Sequence, residues 1–110
     1  MSAIFVHDGD NIDYTPDVDI PARTVVVLGE LVCVAKRFIP ANTPGSLAVS
    51  GVCDFDKATS VGSAMGFGAL VYWNAAAQQA TTTASGNKLI GKTIQIVADV
   101  DATVRVRMSQ

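Results

Sequence analysis

One histidine, two cysteines and a charged fraction of 16% leave this 110-residue chain short of the groups that do chemistry. His7 stands alone, which excludes a multi-histidine metal site and leaves any hydrolytic triad a single base near a chain end. Cys33 and Cys53 show no CxxC spacing, so neither a zinc site nor a redox pair is indicated. Both lie in strand-like stretches and read as buried free thiols of a protein assembled in a reducing cytoplasm. GxGxxG and Walker-type loops are absent, and GSAMGFG at 62–68 lacks the lysine that a phosphate loop needs. No apolar run approaches the roughly 18 residues of a membrane-spanning helix. The opening MSAIFVHDGD lacks the basic region and long apolar stretch of a secretory signal. Net charge is −2, and the basic residues are scattered apart from Lys36-Arg37 and Arg105/Arg107, so no affinity for phosphate backbones follows. No cofactor, metal, nucleic acid or membrane is expected to bind.

Carboxylates are present, but in patterns that serve the backbone. Asp8, Asp10, Asp13, Asp17 and Asp19 crowd the N-terminal stretch. A calcium loop counted from Asp8 needs glycine at its sixth position and glutamate at its twelfth, and finds Asp13 and Asp19. The stretch reads as a solvated acidic loop. The close pairs Asp54/Asp56 and Asp99/Asp101 flank turns, where aspartate caps backbone N–H groups. Glycosidase chemistry would need such a pair beside a long cleft, of which the sequence gives no sign. The chain carries no enzyme signature.

What it has in quantity is apolar surface. Hydrophobic residues make up 49% and the mean hydropathy is +0.34, while charge falls below the roughly 25% usual in globular domains. The length predicts a single β domain over 1–110, with 1–8 as an extended N-terminal arm. A domain of this size buries only about two-thirds of its unfolded surface and gains from association.

Short strands separated by turn signals predict an all-β fold, a compact small β-barrel or β-sandwich of antiparallel strands with at most one short helix. A modest strand is expected at 10–14, and Thr15-Pro16-Asp17 marks a turn. Strands at 24–28 and 31–35 flank Gly29-Glu30, a two-residue hairpin with glycine first, as a type II′ turn requires. Residues 46–55 alternate, placing Leu47, Val49, Gly51, Cys53 and Phe55 on one face of a single strand, with Gly51 marking a bulge or close approach. Residues 56–65 form the one plausible helix, limited by Gly62 and Gly66. Strands follow at 70–73, 80–83, 89–97 and 103–108, the last with Val104, Val106 and Met108 inward.

Two features point outward. Tyr72 and Trp73 are adjacent, so in a strand they face opposite sides and one must leave the core. Both are candidates for a subunit or partner interface, with Trp73 placed at the contact. Ala3, Ile4, Phe5 and Val6 are apolar and β-prone at the chain's start, and read either as a first strand or as an arm that adds a strand to a partner's edge.

The order of a YW strand, a TTT strand, GNKLIG and a terminal VRVRM resembles the capsid cement, or head decoration, proteins of tailed bacteriophages and prophages. The likeness extends upstream through Gly9-Asp10, Val25-Val26-Val27-Leu28-Gly29, the LAVSGV stretch at 47–52 and Lys57-Ala58-Thr59, and so covers almost the whole chain. It implies a structural protein that binds the outer surface of the expanded head and stabilises contacts between major capsid subunits. It also implies assembly in the bacterial host cytoplasm and a homo-oligomer, trimer ahead of dimer. In such proteins an N-terminal arm touching the shell recurs, which gives 3–6 the role of capsid-contact arm. The alternative is a particle-displayed carbohydrate- or host-binding module, with Tyr72 or Trp73 stacking on a sugar.

Overall fold

The computed structural model describes residues 2–5 and 9–109. Among them are nine strands and no helix. These are β1 (Asn11–Tyr14), β2 (Val25–Leu28), β3 (Leu31–Val34), β4 (Gly45–Ala48), β5 (Gly51–Asp56), β6 (Leu70–Asn74), β7 (Gln79–Thr81), β8 (Lys88–Thr93) and β9 (Thr103–Met108). They build two antiparallel sheets, one ordered β1-β4-β3-β2 and the other β5-β9-β8-β6-β7. The sheets pack face to face without closing into a barrel, which makes the fold a sandwich.

The β2–β3 hairpin forms as its turn residues dictate. Gly29 adopts φ 64° and Leu28 pairs with Leu31 across the two-residue loop. Strand β3 is buried on both faces. Val32 and Val34 point into the main core with Val71, Ile90, Val104, Val106 and Met108. Cys33 and Ala35 point the other way, into a second cluster with Ile20, Ile39 and Leu47. A lid of irregular chain covers that outer face. Ile20 and Ile39 exchange backbone hydrogen bonds at 2.8 Å each, and Asp19 Oδ1 accepts the Ala41 N–H at 2.8 Å. Because both faces are covered, β3 carries a continuous apolar run rather than an alternating one.

Three expectations change. The single strand over 46–55 is two strands in different sheets, β4 and β5. Gly51 takes φ 103°, a conformation that side chains resist, and this lets the chain leave one sheet and enter the other. Ser50 Oγ donates to Asp10 Oδ1 at 2.8 Å and Val49 N to Asp10 O at 3.0 Å, pinning the corner. Leu47 and Phe55 are buried on the two halves, while Gly51 is exposed and Ala48 is buried as well, so the alternation holds only in part and its continuity does not. The helix over 56–65 does not form, because β5 runs on to Asp56 and Gly62 adopts φ 90°. The strand over 89–97 ends at Thr93, whose hydroxyl donates to Gly66 O while accepting the Ala69 N–H, drawing another loop against it. Residues 2–5 pair with no described strand, and Val6 and His7 lie outside the described residues.

Strands β8 and β9 approach so closely at Gly91 that a β-carbon there would collide with the Arg107 carbonyl oxygen. Gly91→Ala should therefore cost at least about 1–3 kcal/mol, the range for overpacking a tight interior. Urea unfolding measures this; retention of wild-type stability would show that the sheet yields at that point.

Candidate contact surfaces

The loops at one end of the second sheet are organised by a single cation. Lys57 leaves β5 with its backbone N–H bonded to Ala102 O, and is 3% exposed. Its ammonium sits among the carbonyl oxygens of Ala58 (2.7 Å), Asp101 (2.7 Å), Ala98 (3.1 Å) and Asp99 (3.3 Å), with Ser63 Oγ at 3.2 Å. The nearby carboxylates are otherwise engaged: Asp99 Oδ1 accepts the Ala64 N–H and Asp101 Oδ2 the Ala98 N–H, each at 2.8 Å. A buried charge is tolerable when its hydrogen-bonding capacity is filled, and here carbonyl dipoles fill it. The result ties segment 58–64 to segment 98–101, with the Met65–Val97 bridge alongside.

On this frame sits an outward strip of apolar side chains. In β6 the inward residues are Val71 and Trp73, so Leu70 and Tyr72 face out. Leu70 pairs with Lys92 of β8, and Ile94, partly exposed, follows in the bend just past the end of that strand. Gly68 N donates to Thr93 O, folding the Phe67-Gly68 turn against that strand end. Phe67 is 70% exposed and Ile96 75%, and Val61 and Val100 stand clear of the caged loops. A second exposed apolar element is the N-terminal segment, where Ile4 is 87% and Phe5 79% exposed.

Of the adjacent aromatics, the outward one is Tyr72. Trp73, expected at a contact, is 5% exposed and packs in the main core with its ring 6.0 Å from that of Phe55. The parity of β6 decides this, since the larger apolar ring takes the inward position beside Val71. Of the four arm candidates, Ala3, Ile4 and Phe5 are exposed, and Val6 lies outside the described residues. Sequence reasoning missed Lys57, Leu70, Phe67, Ile94 and Ile96 as surface determinants. The alternation of Ile94, Gln95 and Ile96 resembled an ordinary strand, and nothing local betrays a buried ammonium.

An open cleft of about 690 Å³ lies between the sheets, where β2 and β5 are the edge strands, each paired on one side only among the described strands. Val25, Val34, Phe55 and Trp73 line it, with Lys36 and Asp54 among its charged residues. Asp54 pairs across the strands with Arg105, Nε to Oδ1 at 2.9 Å and a second guanidinium nitrogen to Oδ2 at 3.2 Å. That hydrogen-bonded guanidinium holds the Asp54 carboxyl below its usual value. Burial pushes both thiols upward, Cys33 and Cys53, so neither is an activated nucleophile. No cluster of metal-ligating side chains occurs among the described residues.

Two predictions follow from these contacts. Lys57→Met would strand carbonyls inside the loops, each costing about 1–3 kcal/mol, so unfolding should lose at least about 3 kcal/mol in urea titration. For Asp54, a lowered folded value means stabilisation present above the ordinary carboxylate value of about 3.9 and lost as pH falls through the lower folded one. Asp54→Asn should therefore melt below wild type at pH 7 and together with it at pH 2; a gap that persists at pH 2 would assign the effect to packing.

Residues 6–108 match the family model described as phage cement protein. No curated protein and no solved structure gives a match.

Proposed function

The chain belongs to the phage cement protein family, and we propose that it binds the outer surface of the expanded head and clamps neighbouring major capsid subunits together. Its role is structural, in association with capsid proteins. In this reading residues 1–110 form one β domain with 1–8 as its extended arm, and the protein is made in the bacterial host cytoplasm and works as a homo-oligomer on the virion.

The observation that carries the reading is the N-terminal segment, in which Ile4 and Phe5 stand almost fully exposed without a charged neighbour among 2–5. Exposing a large apolar side chain rather than burying it forfeits about 1.5–3 kcal/mol. Ala3, Ile4, Phe5 and Val6 together suit an extended strand laid on the edge of a capsid sheet, where main-chain hydrogen bonds add affinity to the buried side chains. Several copies joined in one oligomer multiply such contacts, so each can be modest while the assembly holds firmly. Added contacts across subunit junctions are what a shell under internal DNA pressure lacks.

The carbohydrate-binding alternative loses its main residue. A sugar stacks on an open aromatic face, and Trp73 presents none, being packed against Phe55 in the core. Tyr72, half-buried, is the remaining aromatic for that role on β6.

Mixing the protein with expanded, undecorated heads and pelleting them tests the proposal. Wild type should co-sediment at stoichiometric copy number and raise the temperature at which the heads rupture. Ile4→Asp/Phe5→Asp should lower affinity at least roughly 100-fold, taking about 3 kcal/mol of lost burial at 1.4 kcal/mol per decade, with the circular dichroism unchanged. Wild type that stays in the supernatant would refute the capsid role.

A further inference from the structure

We propose that the outward strip of Leu70, Tyr72, Ile94, Phe67 and Ile96 is buried against the same strip of a second copy, and that copies join through it. The inference rests on the oligomeric reading above and supplies its contact face.

Three local features gather the strip. Leu70 and Tyr72 share the outer side of β6, Ile94 lies in the bend just past the end of β8, and the Phe67 turn is held to Thr93 by Gly68. One step beyond the Met65–Val97 bridge, Gly66 lies across from Ile96 and offers no side chain to cover it. Each large apolar side chain presents on the order of 60–120 Å² of apolar surface. Five of them form most of the apolar centre of a partner's share in a standard interface, about 800 Å². Val61 and Val100 extend it on the caged loops, and Lys92, opposite Leu70, sits at its rim.

Charge identifies the occupant. When a surface meets its own copy about a symmetry axis, charges within it face their own kind. Residues 58–70 and 93–98 contain no charged side chain. Asp99 and Asp101, next in sequence, have a carboxylate oxygen each bound to a backbone N–H. Other exposed hydrophobics of the folded body lie among charges: Val18 between Asp17 and Asp19, Phe38 after Lys36-Arg37, and Val52 paired with Arg107. One charge stands beside the strip, Lys92 as the cross-strand partner of Leu70, so of these surfaces the strip faces its own copy at the smallest electrostatic cost. Lys57 and its carbonyl cage hold the supporting loops in place beforehand, so association need not order them.

Gly66 supplies a probe that the single copy does not feel. A β-carbon there meets nothing within 4 Å, and its φ is not in the left-handed region. Gly66→Arg therefore alters the strip and little else. Light scattering on the purified protein, without heads, should give wild type at a small multiple of 11.5 kDa and Gly66→Arg and Ile96→Asp at 11.5 kDa, with unchanged circular dichroism. In a Cys53→Ser background, Ile96→Cys should form a covalent dimer on oxidation. A monomeric wild type, or a Gly66→Arg that keeps the wild-type mass, would overturn the proposal. Head pelleting separates this from the capsid reading. Wild type that is oligomeric through the strip but ignores heads sinks the capsid role alone. A monomeric wild type whose binding to heads is abolished by Gly66→Arg makes the strip a capsid contact and refutes self-association.

Discussion

The Lys57 ammonium is the constraint on which the loops at one end of the five-stranded sheet depend. Irregular loops tend to be mobile because their backbone groups find partners in water. Here one buried ammonium shares its three N–H groups among four carbonyls from two loops far apart in sequence, and no described carboxylate forms an ion pair with it. Its charge is solvated by dipoles that the fold positions, and those dipoles would otherwise need water. At its backbone the same residue bonds β9 through Ala102 and bridges to Ala80 of β7. The two edge strands of the five-stranded sheet thus meet at one point, and the sheet curls around the main core without closing.

That curl explains how a chain of this length buries two apolar clusters. Strand β3 divides them, sending Val32 and Val34 to one and Cys33 and Ala35 to the other. The crossover at Gly51 lets adjacent segments of chain serve different sheets, so β4 closes the second cluster and β5 the first. Burial on both sides of β3 consumes much of the apolar content. The remainder stays outside in a few places, chiefly the arm and the strip beside the caged loops.

Such a distribution suits a protein that works by adding contact area. Several polar groups are engaged within the fold: burial pushes the Cys33 and Cys53 thiols upward, Asp99 and Asp101 each accept a backbone N–H, and Asp54 pairs with Arg105. An exposed ion pair adds little to stability. What distinguishes the surface is uncharged apolar area on two separate elements, one extended and one held on a stitched frame.

Much of this was legible from residue order. Gly29-Glu30 predicts its hairpin because only a turn with positive φ first matches the strand twist, and Val104, Val106 and Met108 predict the inward face of β9 by alternation. The ordered set of strand motifs was enough to indicate the family. Other readings failed where the deciding partner lies far along the chain. Alternation over 46–55 cannot reveal that the strand changes sheets, since odd-numbered Leu47 and Phe55 are buried on either side of the change. The stretch 56–65 reads locally as one short helix limited by Gly62 and Gly66, but the carbonyls that capture Lys57 come from 98–101 as well as 58. Period and turn chemistry are local, so residue order sets the all-β class, most of the strands and the inward face of β9. The inward turn of Trp73, the cage around Lys57 and the exposure of Phe67 and Ile96 depend on which distant segments pack together. Long-range packing settles those, because burial is a property of neighbours rather than of a residue.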